Sequence, residues 1–138
     1  WGMLRLDTPS RLGARTEAAV SSALARCGFD VYAPIFSING RVDLVYDRAG
    51  QLVRVQCKTA RVARTALYFP TTSNTGNVPI GYAGEVDEFG VYAPSTNLVY
   101  LVPIADAPAR GCNLRIVPTR NNQAAGVRWA MDYELGPP

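Results

Sequence analysis

Three polar side chains interrupt two short apolar segments. Asp43 lies in RVDLVYD, between Val42 and Leu44, while Gln56 and Lys58 flank Cys57 in QLVRVQCKT. Lys58 is the only lysine; the other thirteen basic residues are arginine. A carboxylate, an amide and an ammonium group brought together suit a hard divalent cation and a phosphate. Mg2+ takes oxygen ligands, usually one or two carboxylates with water and substrate phosphate completing the shell. Asp43, Glu17 and the backbone carbonyl of Cys57 can supply such ligands, and Gln56 can add an amide oxygen or orient a water. Lys58 can position and deprotonate an attacking water or stabilise a pentavalent phosphate. Arginine suits neither role, because it stays protonated and is bulky. Phosphodiester hydrolysis assisted by a metal ion fits these parts.

Composition narrows the field. The chain has no histidine, which removes the commonest general base and Ser-His-Asp or Cys-His catalysis within it. Cys27, Cys57 and Cys112 form no CxxC pair, so neither a disulfide framework nor a structural zinc site is expected. At 138 residues, 48% hydrophobic and 18% charged, one folded domain over 1–138 is expected, with residues 1–9 as a flexible N-terminal segment. No apolar run approaches the length of a membrane helix, and no signal-peptide pattern opens the sequence, so a cytoplasmic protein is expected. A net charge of +3 is mildly basic and favours a nucleic-acid partner only weakly.

Several elements must hold these groups in place. The spacing of Leu12, Thr16, Ala19, Val20, Ala23, Leu24 and Cys27 predicts a helix over 10–27, capped by Thr8 or Ser10 and ended by Gly28. Glu17 falls at the edge of its apolar stripe. Strands are expected at 29–36, 41–47, 51–59, 65–70, 90–94, 97–103 and 114–118, with polar loops at 71–84 and 120–126 and a short helical turn in GEVDEF. Alternation along 51–59 puts Gln56 and Lys58 on one face and Val53, Val55 and Cys57 on the other, apolar, face. Segments 41–47 and 51–59 form a hairpin. If Asp47 pairs with Gly50 across its turn, Asp43 lies opposite Arg54 and diagonal to Gln56. Periodicity alone also allows a blander arrangement, with Asp43 flanking an edge strand and Gln56 and Lys58 on a solvated face. The pattern predicts an α+β domain with a mixed central sheet.

The spacing Asp43…Gln56-Cys57-Lys58 resembles the PD-(D/E)XK nuclease signature in a QxK variant. GARTEAAVSSALARCGFDVYAP, RVDLVYDRAGQLVRVQCKTAR, GYAGEVDEFGVYAPSTNLVYLVPI and RWAMDYEL resemble, in order, segments of the branch associated with group I introns. The resemblance spans about Leu12 to Leu135. It implies an α-β-β-β-α-β core and divalent-metal-dependent cleavage of double-stranded DNA, with Mg2+ as cofactor and Mn2+ as a substitute. It also implies catalytic roles for Glu17, Asp43, Gln56 and Lys58. Val42 stands where the generic motif has proline, and Gln56 replaces the usual acid, so Glu17 would have to supply the missing charge.

Arg61 and Arg64 follow the catalytic strand and Arg120 and Arg128 flank the second polar loop, as candidates for phosphate contact. Asn74 and Asn77 in the first loop are candidates for reading base edges. Cleaving both strands of a near-symmetric site calls for two active sites, hence a homo-oligomer. Homing-type cleavage leads over two alternatives on the same scaffold: a structure-selective nuclease such as a Holliday junction resolvase, and a DNA-binding module without catalysis.

Overall fold

The computed structural model describes residues 8–38, 40–75, 78–81, 84–117 and 126–138. Helix α1 runs Pro9–Arg26, with the Thr8 side chain accepting from the Arg11 amide at 3.2 Å and Pro9 in the first turn. Its stripe is buried at Thr16, Ala19, Val20, Ala23 and Leu24. Cys27 belongs to the cap instead and is exposed.

Among the described residues eleven strands follow: β1 (Val31–Tyr32), β2 (Leu44–Arg48), β3 (Gln51–Thr59), β4 (Arg61–Ala63), β5 (Ala66–Pro70), β6 (Thr72–Thr75), β7 (Val78–Gly81), β8 (Glu88–Ala93), β9 (Leu98–Pro103), β10 (Gly111–Arg115) and β11 (Glu134–Gly136). The main sheet has the order β1-β2-β3-β8-β9-β11, mixed because β3 and β8 run parallel while the other pairs are antiparallel. The α+β class with a mixed sheet is thus the observed one. Between β3 and β8 the described chain forms β4 to β7 and no helix, so α1 is the one α-helix among the described residues. That helix is not long and apolar enough to cross a membrane.

Several expected elements differ in extent. The strand over 29–36 shrinks to Val31–Tyr32, and Ile35, Phe36 and Ile38 are strongly exposed in the connection that follows Pro34. The loop over 71–84 contains the hairpin β6–β7, with Asn74 opposite Pro79. GEVDEF makes no helical turn; Glu88 and Phe89 already belong to β8. The strand expected at 114–118 lies earlier, at Gly111–Arg115. Residues 1–7 of the expected flexible segment, Asn77, and 120–125 of the second polar loop lie outside the described residues, whereas Thr8 and Pro9 form the helix start.

The main sheet has a core on each face. On one side α1 packs over Leu44, Tyr46, Val53, Val55, Tyr92 and Val99. On the other, the small sheet β10-β5-β4 covers Phe89, Val91, Ala93, Tyr100 and Val102 with Leu67, Phe69, Cys112 and Leu114. Gly90 sets how closely α1 approaches. A Cβ there would lie 2.6 Å from Val20 Cγ1 and 2.9 Å from Val55 Cγ1, closer than packed carbons allow. A buried carboxylate, Glu88, is satisfied by the Tyr46 hydroxyl and by Arg48 Nη2 at 2.8 Å, as a buried charge must be.

Gly90→Ala should therefore lower stability by about 1–3 kcal/mol. Gly111→Ala, whose new Cβ meets first the far end of the Tyr68 side chain, should lower it less. Thermal denaturation of the two variants side by side measures the difference.

Candidate active site

The turn between β2 and β3 decides where Asp43 lies. Ala49 and Gly50 both have positive φ, 53° and 87°, as a two-residue turn of the I′ type requires. Asp47 Oδ1 accepts from the Gly50 amide at 2.6 Å. Arg48 therefore pairs with Gln51, Asp47 with Leu52 and Leu44 with Val55. The pairing of Asp47 with Gly50 is not realised, because Ala49 as well as Gly50 takes the left-handed conformation. Arg54 lies opposite Val45, and its guanidinium holds Asp87 through Nε and Nη2, each at 3.1 Å. Continued past Leu44, the same register brings Asp43 level with Gln56 rather than Arg54.

The Asp43 amide still donates to the Val55 carbonyl at 2.9 Å, but Leu44–Val55 is the last paired position. Beyond it β3 continues to Thr59, paired with β8 alone. The Cys57 amide is satisfied by the Asp43 side chain, whose Oδ2 accepts at 2.7 Å. The carboxylate of Asp43 thus takes the place of the departed strand, leaving a cleft in the strand pairing along that edge of β3.

Glu17 on α1 comes within hydrogen-bonding reach of Asp43. Burial pushes the Asp43 carboxyl up to about 6; the Cys57 amide opposes this, Glu17 adds to it, and Lys58 pulls it down. Burial likewise pushes the Cys57 thiol up, with Asp43 and Glu17 adding, so the thiol is inert core, packed against the α1 side of the sheet. Lys58 Nζ donates to the Thr72 carbonyl at 3.3 Å. Gln56 Oε1 is buried with no hydrogen-bond partner. An acceptor left so is costly.

Glu17, Asp43, Gln56 and Lys58 therefore come from α1, the start of β2 and β3 to one end of the sheet. One pair beside them escaped the sequence reading. Thr16 and Thr59, each one residue from a site residue, share a hydroxyl–hydroxyl hydrogen bond of 2.6 Å, with Thr16 buried. Thr16 read as part of an apolar stripe; its signal was a hydroxyl on that stripe. Among the described residues no three acidic, cysteine or histidine side chains converge on a metal position. A cation would have two carboxylates and must take its other ligands from amide or carbonyl oxygen, water and phosphate. The buried, unpartnered Gln56 Oε1, on the β3 residue level with Asp43, and the Asp43 carboxyl raised by burial and by Glu17 fit that requirement.

Arg61 and Arg64 are exposed beyond β3, and Arg128 is half-buried, donating through Nε to the Asp106 carbonyl at 2.7 Å. Asn74 lies in β6, while Asn77 and Arg120 fall outside the described residues.

Helix α1 over a mixed sheet, with an acid at the point where two strands part and a QxK strand beside it, is the arrangement of a nuclease-like α+β fold. The family model for PD-(D/E)XK endonucleases matches residues 8–136, and the chain belongs to that family. Among solved structures, that of a bacterial homing endonuclease, I-Ssp6803I, is similar with a TM-score of 0.68 and 16% sequence identity, covering 94% of this chain and 88% of that one. No curated protein matches.

Asp43→Asn should be at least as stable as the wild type when metal-free. Its folded pKa, raised to about 6, lies above the unfolded value near 4. Ionised Asp43 therefore costs stability, an effect that appears as pH rises from about 4 to 6 and is complete above that range. Thermal melts at pH 8 should show the variant level with the wild type or about 1 kcal/mol more stable. The rise in melting temperature on adding Mn2+ should be confined to the wild type.

Proposed function

We propose that residues 1–138 form one nuclease domain that hydrolyses phosphodiester bonds in double-stranded DNA, dependent on a divalent metal and of the homing type. Membership of an endonuclease family supports the reaction class. The observation that carries the metal dependence is the unpartnered, buried Gln56 Oε1, on the strand position level with Asp43, which itself meets Glu17. A cation would make both favourable.

Mg2+, or Mn2+ in its place, would neutralise charge at the scissile phosphate and act as a Lewis acid. Asp43 and Glu17 would hold it, with Gln56 Oε1 as the neutral oxygen where the family signature usually has an acid. A strand residue that exchanges hydrogen bonds across a ladder presents amide and carbonyl to the same edge. The Cys57 carbonyl would therefore face the cleft beside Asp43 and complete the protein's ligands. Lys58, aligned by the Thr72 carbonyl, would position the attacking water or stabilise charge on the phosphate. Arg61, Arg64, Arg120 and Arg128 would contact phosphates, and Asn74 and Asn77 base edges. Two copies of the chain would place one site on each DNA strand.

Lys58→Ala should slow plasmid nicking in Mg2+ by at least about 100-fold while duplex binding stays within about threefold. Nicking at the wild-type rate in that variant would overturn the assignment. Comparing a linear duplex with a four-way junction separates homing from resolving activity.

A further inference from the structure

Charge is distributed unevenly along this chain. Residues 48–84 contain no aspartate or glutamate, and neither do residues 107–131; between them they carry Arg48, Arg54, Lys58, Arg61, Arg64, Arg110, Arg115, Arg120 and Arg128. The small sheet β10-β5-β4 is built entirely from these two acid-free stretches. Its inner face, Val62, Leu67, Phe69, Cys112 and Leu114, packs into the core. Strand alternation then turns the remaining side chains outward.

The register places those outward residues in rows. Arg61, Tyr68 and Asn113 are level across the three strands, and Ala63, Ala66 and Arg115 form the next row. The Arg61 guanidinium lies 6.0 Å over the Tyr68 ring. Arg128 is brought alongside because the Arg115 amide donates to the Arg128 carbonyl at 2.7 Å. A hollow of about 390 Å³ opens between Asn113, Arg115, Arg128 and the small residues Ala66 and Gly111. Arg115 spends one donor, Nε, on the Val117 carbonyl at 2.9 Å, and Arg128 spends Nε on the Asp106 carbonyl. The terminal nitrogens of both guanidinium groups make no ion pair among the described residues. The neighbouring acid is Asp106, whose Oδ2 accepts from the Tyr133 hydroxyl at 3.1 Å.

We infer that the outer face of this small sheet is a docking surface for the backbone of duplex DNA, separate from the metal cleft, with Arg115 and Arg128 as phosphate anchors. It takes its partner, and only that, from the nuclease reading. A polyanion is the ligand this face complements: it is cationic and low in profile, and it offers forked donors suited to phosphate. Its Arg61 end follows Lys58 by three residues, at most about 11 Å of chain. Arg115 lies a further row away, so one duplex can pass from the cleft onto the face.

The test measures binding of a fluorescent duplex by anisotropy between 50 and 300 mM salt, in a Lys58→Ala background where nothing is cut. Arg115→Gln/Arg128→Gln should weaken binding and reduce the slope of log K against log salt by about 1.8, the value expected when two phosphates are no longer neutralised. Arg26→Gln, on the far end of α1, should change neither. Arg115→Lys/Arg128→Lys should restore the slope, since it keeps the charge while losing the Nε bonds. A Gln pair that behaves like Arg26→Gln overturns the inference. So does a Lys pair as defective as the Gln pair, because the loss is then structural. A protein that binds duplex with the stated slope change but never cuts it with Mg2+ or Mn2+ removes the nuclease reading and leaves this surface standing.

Discussion

The hydrogen bond from the Cys57 amide to the Asp43 carboxylate organises the site, because it lets β2 leave β3 without stranding a backbone donor. A strand that ends beside a continuing neighbour normally exposes unpaired amides, which water or another chain must satisfy. Here the side chain of the last residue before the paired ladder does so at 2.7 Å. Its carboxylate is thereby fixed at the mouth of the cleft that the departure creates. Sheet termination and site geometry are the same event.

The cost of that arrangement falls on charge. Asp43 is partly withdrawn from water and faces Glu17, and both effects disfavour its ionised form. Close packing and a hydrogen bond hold the two elements that carry these groups together. The helix is pressed onto the sheet at Gly90, where no side chain intervenes, and the Thr16–Thr59 hydroxyl pair ties the turn of α1 bearing Glu17 to the strand bearing Lys58. The layers of helix, main sheet and small sheet share one slab of strands, so each core braces the other.

Much of this was legible in the sequence. The three-and-four spacing from Thr16 to Leu24 marked α1, because an amphipathic helix has one way to bury that stripe. Alternation in QLVRVQCKT separated Gln56 and Lys58 from Val53 and Val55, because strand side chains can only alternate. The register was not legible. It depends on Ala49 adopting positive φ, which residue type does not announce. Nor was the brevity of β1 legible, since FDVYAPIF has the β-rich composition of a full strand. Only the tertiary partner of Ile35 and Phe36 could extend it, and the described residues provide none. The buried state of Gln56 Oε1 is likewise a property of packing on both sides of the sheet.

The Ala49–Gly50 turn has a consequence for how this protein can change. Side chains on a strand alternate strictly, so one residue gained or lost in that turn would swing Asp43 to the opposite face. Two residues gained or lost would return it to the correct face but slide it along β3. Length at this solvent-exposed corner, distant from the cleft, is therefore under the same constraint as the identity of Asp43 itself. The hairpin acts as a ruler whose zero mark is the turn.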